Sequence, residues 1–253
     1  MTEQVLVSVA NGVLEVTINR PEAKNAMTKA AAEAIAEAMD RLDADTDLRC
    51  AILTGAGGTF CSGMDLKGFL SGEYPVAGDR GFGGLTSWTP KKPVIAAVDG
   101  YALAGGMELA IACDMIVASK GAKFGIPEAK RGLVAGGGGV VQLPRLLPRP
   151  LAMELALTGD PITAERAYEL GLVNVVTDGP AIEGARELAQ RVAANGPLAL
   201  VASKGIIRDS WGWEDKDVLP KQGPYIAHVF ASEDAREGAT AFAQKRKPEW
   251  KGK

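Results

Sequence analysis

The sequence predicts an α/β fold, and three observations support that prediction. Two short alternating apolar runs flank an Asn-Gly pair near the start of the chain. Short continuous apolar runs then recur between glycine-rich and helical segments, which is typical of strands buried on both faces. From about Leu143 onward, helical patterns dominate. We therefore expect a β/α core over 1–195 and a helical C-terminal region over 196–253.

The first predicted element is a β-hairpin. Val5 to Val9 and Val13 to Ile18 alternate apolar and other residues on either side of Asn11-Gly12. An Asn-Gly pair accepts the positive φ angles of a type I′ turn, which joins two antiparallel strands.

A helix is expected next, from Thr28 to about Ala44. Thr28 is a good N-cap residue, and the apolar positions after it recur at helical spacing. The buried stripe of this helix is predicted to consist of Ile35, Ala38, Met39 and Leu42.

Buried strands are predicted at Cys50 to Thr54, Val94 to Val98 and Met115 to Ala118, and a further strand is predicted at Val173 to Val176. The stretch from Gly68 to Lys92 is rich in glycine and predicts a long, mobile loop near a site. A helix is expected to open at Gly105. Further helices are predicted at 150–158, 163–170, 181–194, 197–210, 215–231 and 234–244.

Composition narrows the functional classes. The 253 residues carry a net charge of −3, which argues against nucleic acid as the main partner. The sequence contains no run of about 18 apolar residues, so no membrane span is predicted. The N-terminus lacks a basic targeting segment, so a cytoplasmic location is expected. Five basic residues among the last nine predict a solvated tail or, alternatively, a phosphate contact.

The cysteines and the single histidine exclude several kinds of site. Three cysteines without a CxxC pair predict free thiols. His228 is the one imidazole, so a histidine-rich metal site is excluded and a serine or cysteine nucleophile would depend on it. We expect no metal.

Two glutamates, one just after a pair of glycines and one just after a proline, are the main candidates for catalytic residues. Glu108 lies one turn inside the helix that opens at Gly105, and Glu128 follows Pro127. The first N–H groups of a helix lack internal partners, so the Gly105 N–H is a candidate donor to a negative oxygen. The N–H of Met64, in a glycine turn, is a second candidate. Tight packing at Gly105-Gly106, and an ordinary loop around Met64, are the alternatives.

A run of four glycines, 136–139, precedes an apolar helix. It predicts a phosphate cradle or a close-packing turn. Neither a GxGxxG fingerprint nor a P-loop occurs in the chain.

Several motifs together resemble the crotonase, or enoyl-CoA hydratase/isomerase, superfamily, over nearly the whole chain. They comprise the segment from Asn19 to Ala26, the loop from Phe60 to Leu66, the run from Lys92 to Gly106, Phe124 to Glu128, and Phe242 to Pro248. Some features, including Gly81-Phe82-Gly83-Gly84, are similar to the carnitinyl-CoA dehydratase branch.

The resemblance implies a spiral of ββα units with a helical C-terminal trimerisation region, assembled as homotrimers or hexamers. It implies an oxyanion hole at the N–H groups of Met64 and Gly105, and an acid/base pair at Glu108 and Glu128. The coenzyme A moiety is expected against Ala23, Lys24, Ala26, Ser62, Asp65 and Leu66.

The function implied is that of an enoyl-CoA hydratase in fatty acid metabolism, in which coenzyme A is part of the substrate and no other cofactor is needed. The glycine run after Glu128 departs from the pattern of fatty-acid hydratases, which leaves the acyl group open. A carnitinyl-CoA-type dehydratase, a Δ3,Δ2-enoyl-CoA isomerase and a non-catalytic acyl-CoA-binding protein are the alternatives.

Overall fold

A computed structural model describes residues 3–253 of the chain. These residues contain nine strands: β1 (Val5–Ala10), β2 (Val13–Ile18), β3 (Cys50–Gly55), β4 (Val94–Val98), β5 (Tyr101–Leu103), β6 (Met115–Ser119), β7 (Lys123–Gly125), β8 (Ile162–Thr163) and β9 (Val175–Thr177).

The same residues form ten α-helices: α1 (Lys29–Ala44), α2 (Leu66–Leu70), α3 (Gly105–Ala112), α4 (Gly139–Leu146), α5 (Arg149–Thr158), α6 (Ala164–Glu169), α7 (Ala181–Ala193), α8 (Pro197–Ser210), α9 (Val218–Phe230) and α10 (Glu233–Ala243). Short 3-10 turns include Pro127–Arg131.

The strands form two sheets. The larger has the order β1-β2-β3-β4-β6-β9, antiparallel only between β1 and β2 and parallel elsewhere. The smaller has the order β5-β7-β8. The predicted α/β class is therefore confirmed.

The hairpin and the first helix form as predicted. Ala10 pairs with Val13, which leaves Asn11 and Gly12 as a two-residue turn with φ angles of 51° and 75°. Both positive values are those that the type I′ turn requires. The Thr28 side chain accepts a hydrogen bond from the Ala31 N–H at 3.2 Å and so caps α1.

The inner strands β3, β4 and β6 of the larger sheet are largely buried on both faces, as their apolar sequences predict. Along β3, Ala51 and Leu53 pack into the main core with α1 and α3. Cys50 and Ile52 point the other way and pack beneath α7, against its alanines. The three cysteines are free thiols, as expected.

The segment from 68 to 92 is mostly exposed up to residue 79 and mostly buried or half-buried from residue 80 to 90, and its mobility stays a prediction. It contains the end of α2 and a bridge between Val76 and Phe82. Glycines there allow close approach: a Cβ built on Gly84 would lie 2.3 Å from the Ala32 carbonyl oxygen. A side chain at that position would collide with α1.

A partly buried ion pair joins the C-terminal helices to the core. Lys204, in α8, lies 2.7 Å from the Asp114 carboxylate and donates to the Lys92 carbonyl at 2.9 Å. The Asp114 carboxylate also accepts from the Val94 N–H at 2.7 Å. These bonds connect α8 to the start of β4. The division into units 1–195 and 196–253 stays a prediction.

The basic side chains of the tail are exposed, as expected of a solvated tail, while Trp250 and the tail backbone contact the rest of the chain. The Trp250 indole N–H donates to the Ala194 carbonyl at 2.8 Å. Asp234 accepts from the N–H groups of Lys251 and Gly252 at 2.8 and 2.9 Å. Within residues 3–253, no helix has both the length and the apolar character needed to cross a membrane.

Candidate active site

A cavity of about 710 Å³ brings together the segments that the sequence singled out. Its walls come from the loop before α2, the segment 69–87, the first turn of α3 and the segment 127–137. The candidate residues on its surface are Lys24, Ser62, Met64, Leu66, Gly105, Glu108 and Glu128.

Met64 lines this cavity, and its N–H stays unpaired among the described residues because Met27 forms the hydrogen bonds of the local bridge with Gly63 and Asp65. Met27 pairs with Met64, but the hydrogen bonds run from the Met27 N–H to the Gly63 carbonyl and from the Asp65 N–H to the Met27 carbonyl. Within residues 3–253, the N–H of Met64 has no protein acceptor.

The second candidate donor lies beside it, at the start of α3. Gly105 is the first residue of the helix, so its N–H has no partner within the helix. Gly63, with φ of 107°, brings the two turns together: a Cβ added to it would lie 3.4 Å from the Gly105 nitrogen. Ala104, with φ of 53°, holds the strained turn into α3.

The two glycines that begin α3 also permit close packing, the alternative that the sequence left open. A Cβ on Gly106 would lie 2.0 Å from the Cys61 carbonyl oxygen, and one on Gly105 would lie 2.2 Å from the Phe82 ring. Gly105-Gly106 therefore serves packing, and it also leaves a backbone N–H open at the cavity.

Glu108 is held by the glycine run that the sequence left ambiguous. Its side chain is buried, with 3% exposure, and its Oε1 accepts from the Gly139 N–H at 2.8 Å. Burial raises the pKa of Glu108 above its ordinary value, while hydrogen bonds from the Gly139 and Gly137 N–H groups oppose that rise. The run 136–139 therefore binds a carboxylate of the same chain, that of Glu108, at the start of α4.

Glu128 lies in the 3-10 turn Pro127–Arg131, which begins with the proline. Its Oε2 is buried and has no hydrogen-bond partner in the described part of the chain. Burial raises the pKa of Glu128, and the charge of Glu108 raises it further, whereas Arg131 lowers it. The charge of Glu108 thus disfavours ionisation of Glu128.

The predicted coenzyme A residues divide into two groups. Lys24, Ser62 and Leu66 line the cavity, whereas Ala23, Ala26 and Asp65 do not. Asp65 instead caps α2, accepting from the Lys67 N–H at 3.0 Å, and pairs with Arg20 at 2.9 Å. All six assignments as coenzyme A contacts stay predictions.

Sequence reasoning did not assign several cavity residues, among them Phe82, Tyr101, Arg131, Leu133 and Val134. Phe82 had a usable signal, because glycines on both sides of a lone aromatic residue indicate a ring held at a special backbone position. The position of Arg131 depends on the 3-10 turn and had no such signal.

Comparison with known proteins establishes the family. The family described as "Enoyl-CoA hydratase/isomerase" matches residues 8–253. The chain belongs to this family. The predicted family is thereby confirmed.

Relatives within the enoyl-CoA hydratase/isomerase family extend over the whole chain. The carnitinyl-CoA dehydratase of Proteus mirabilis is 43% identical over 262 residues, with 100% of both chains covered. The structure of an enoyl-CoA hydratase from Mycobacterium tuberculosis H37Rv is 55% identical, covers 99% of this chain and 100% of its own, and superposes with a TM-score of 0.97. A carnitinyl-CoA hydratase from Mycobacterium avium is 41% identical, with 100% of both chains covered and a TM-score of 0.80.

These similarities confirm the crotonase-like fold and the predicted reaction class, a hydro-lyase. Among residues 3–253, no group of three or more metal-ligating His, Cys, Asp or Glu side chains occurs. That the reaction needs no metal stays a prediction.

Proposed function

We propose that this chain is an enoyl-CoA hydratase, which adds water reversibly to a 2-enoyl-CoA thioester. One observation carries the proposal: two carboxyl groups, and two backbone N–H groups that have no acceptor within residues 3–253, line a single cavity. Both kinds of group are needed when water adds to a carbon–carbon double bond next to a thioester.

The two N–H groups would hold the thioester carbonyl oxygen. As water attacks Cβ, negative charge moves to that oxygen and an enolate-like transition state forms. N–H donors that are already in place stabilise such charge without reorganisation, and removal of one typically costs about 3–4 kcal/mol. We assign this role to Met64 and Gly105.

The two carboxyl groups would take and give the protons. Glu108 accepts a hydrogen bond from the Gly139 N–H, which opposes the rise in its pKa that burial causes, and we assign it as the base that removes a proton from water. Glu128 has a buried Oε2 without a donor and a pKa raised by its neighbour, which suits a protonated acid that delivers a proton to Cα. General acid–base catalysis of this kind contributes roughly 10²–10⁴-fold.

Coenzyme A would be part of the substrate, held near Lys24, Ser62 and Leu66, and the proposal includes no other cofactor. The likeness to two enoyl-CoA hydratases at 55% identity supports it. Fatty acid metabolism and a cytoplasmic location belong to the same proposal.

A homotrimer or hexamer is also part of the proposal. Apolar side chains are exposed on α8, α9 and α10 and directly after α8, among them Ile207, Trp211, Leu219, Phe230 and Phe242. Exposed apolar groups on neighbouring helices are typical of a surface that another subunit covers.

A second candidate is the dehydration of carnitinyl-CoA. The names of the curated relatives that are 43–44% identical favour it. The same groups would act in the reverse direction, with Glu128 removing the Cα proton and Glu108 protonating the leaving hydroxyl.

The experiment compares the wild type with Glu108→Gln and Glu128→Gln, using crotonyl-CoA and absorbance of the enoyl thioester. We expect each variant to lower kcat by about 10²–10⁴-fold while binding of a saturated acyl-CoA, measured by calorimetry, persists. Glu154→Gln, at an exposed site in α5, is the control with the same chemical change. Turnover retained in both glutamate variants would refute the assigned roles.

Heavy-oxygen water separates the hydratase from its rivals. A hydratase converts a 2-enoyl-CoA to a 3-hydroxyacyl-CoA that carries the label, whereas a Δ3,Δ2-enoyl-CoA isomerase forms an unlabelled 3-enoyl-CoA. A non-catalytic acyl-CoA-binding protein would bind the thioester and form neither product.

A further inference from the structure

A second cavity, of about 330 Å³, lies against the candidate active site. We call it the rear cavity, and we call the cavity of about 710 Å³ described above the front cavity. Thr86, Glu108 and Gly137 line both cavities, so the two share a wall that contains one of the proposed catalytic carboxyl groups. The function proposed above uses only the front cavity and gives the rear cavity no role.

The rear cavity is a groove between α3 and α4, which pack together. Its lining comprises Glu108, Ile111 and Ala112 on α3, and Gly138, Gln142, Arg145 and Leu146 at the start of α4 and along it. Residues three or four apart share one face of a helix, so each set forms a continuous stripe. Because a helix rises about 1.5 Å per residue, the stripe from 138 to 146 is about 12 Å long. Gln142, Arg145 and Leu146 are exposed, so the groove leads from the buried Glu108 to solvent.

The wall between the two cavities is thin at Gly137. A Cβ on Gly137 would lie 2.6 Å from the Glu108 Oε2 and 3.2 Å from the Phe82 Cβ, so a side chain there would fill the space beside the carboxylate. Thr86 contributes a hydroxyl oxygen that is buried and has no hydrogen-bond partner within residues 3–253. Buried polar groups that lack a protein partner typically hydrogen-bond to water.

The lining of the rear cavity suits water better than an acyl chain. Besides Glu108, its polar side chains are Thr86, Thr89, Asp114, Gln142, Arg145 and Arg208. Cavities lined by polar groups hold water, whereas acyl chains favour apolar walls. Since one water takes up about 30 Å³ in the liquid, the rear cavity has room for several.

On the basis of the proposed function, we propose that water reaches and leaves Glu108 through the rear cavity while an acyl-CoA fills the front cavity. Hydration forms a Cβ–O bond and a Cα–H bond from one water, and the reverse reaction breaks both bonds and releases that water. A thioester held at Met64 and Gly105, with its coenzyme A near Lys24, occupies the front cavity. The shared wall is then the way to Glu108, and the Thr86 hydroxyl is a positioning group that hydrogen-bonds the passing water.

Isotope exchange at chemical equilibrium tests this path. Crotonyl-CoA and 3-hydroxybutyryl-CoA are kept at their equilibrium ratio and at saturating concentrations, and two rates are measured. The oxygen rate is the entry of label from heavy-oxygen water into 3-hydroxybutyryl-CoA, and the acyl rate is the transfer of a carbon label between the thioesters. The oxygen rate exceeds the acyl rate only if water exchanges while the acyl-CoA stays bound. We expect an oxygen-to-acyl ratio larger than about one, because release of a ligand is often slower than chemistry.

Two variants narrow the path at different points. Ala112→Leu enlarges a side chain one turn after Glu108, and Gln142→Trp does so toward the solvent end; neither residue lines the front cavity. Each variant should lower the ratio at least about threefold and leave the acyl rate unchanged. Val141→Trp is the matched control, because Val141 is an exposed residue of α4 that lines neither cavity. It should keep the wild-type ratio.

Thr86 is tested by a pair of variants. Thr86→Val removes the hydroxyl and keeps the shape of the side chain, so the path stays open but loses a hydrogen-bonding group. We expect it to lower the ratio by less than the two narrowing variants do. Thr86→Ser keeps the hydroxyl and should keep the wild-type ratio. Equal losses in the valine and serine variants would remove the positioning role of Thr86.

Three outcomes would overturn the proposed path. A ratio below one in the wild type would mean that the water is held until the acyl-CoA leaves. The same ratio in the wild type, both narrowing variants and the control would mean that water uses the front cavity. If Ala112→Leu lowered kcat/KM for 2-decenoyl-CoA but not for crotonyl-CoA, the rear cavity would be an acyl pocket. If the wild type exchanges neither label, the proposed function itself fails.

Discussion

Asn25 offers a quantitative test of how the turn beside the cavity is held. Its side chain is fully buried, and its backbone has a φ of 55°, in the left-handed region. Its Oδ1 accepts from the Arg20 N–H at 2.8 Å, and its Nδ2 donates to the Ala56 carbonyl at 2.8 Å and to the Thr59 carbonyl. The turn places Lys24 on the cavity surface.

Replacing Asn25 with alanine removes three hydrogen bonds and leaves their partners unsatisfied. At about 1 kcal/mol each, these bonds contribute about 3 kcal/mol. Alanine in the left-handed region adds about 1–2 kcal/mol. We therefore expect the free energy of unfolding to fall by about 4–5 kcal/mol, which a domain of 5–15 kcal/mol can survive.

The matched variant is Asn25→Gly, which loses the same hydrogen bonds but adopts a positive φ without strain. It should be more stable than Asn25→Ala by about 1 kcal/mol, although glycine ordinarily destabilises a chain relative to alanine. Urea unfolding at one fixed protein concentration measures both, because the proposed oligomer would make stability depend on protein concentration. The KM of the acyl-CoA should rise in both variants as Lys24 shifts.

Two results would refute this reasoning. If Asn25→Ala lowered the free energy of unfolding by less than about 1 kcal/mol, the three hydrogen bonds would contribute little to stability. Equal stability of the alanine and glycine variants would show that the positive φ carries no strain.

Two further predictions concern the carboxylate of Glu108. Because burial raises its pKa above the ordinary value, its ionisation costs stability as the pH rises through that raised pKa. Glu108→Gln should therefore melt at a higher temperature than the wild type near pH 8 and lose this advantage below about pH 4; a lower melting temperature at pH 8 would contradict it. A Cβ on Gly137 would lie 2.6 Å from the Glu108 Oε2, so Gly137→Ala should move the carboxylate and lower kcat about a hundredfold with KM little changed. Gly121→Ala, where a Cβ meets nothing within 4 Å, should keep the wild-type kcat, and an equal loss in both would refute the argument.

The sequence determined the elements whose causes lie within a few residues. Asn11-Gly12 specifies its hairpin, and Thr28 caps α1, because a turn or a cap is decided by neighbouring backbone and side-chain groups. The apolar runs of β3 and β4 identified strands buried on both faces. The sequence also selected Glu108 and Glu128, since the chain places each in a turn of distinctive composition.

Only the tertiary structure decided what those groups meet. The four-glycine run has no preferred ligand by itself, and it receives the Glu108 carboxylate because α3 and α4 pack together. Asp65 could serve a ligand by its position in the loop, yet it caps α2 and pairs with Arg20, which is 45 residues away. The desolvation and the electrostatic environment of a site depend on residues that are far apart in the chain. Patterns over a few neighbouring residues therefore do not predict them.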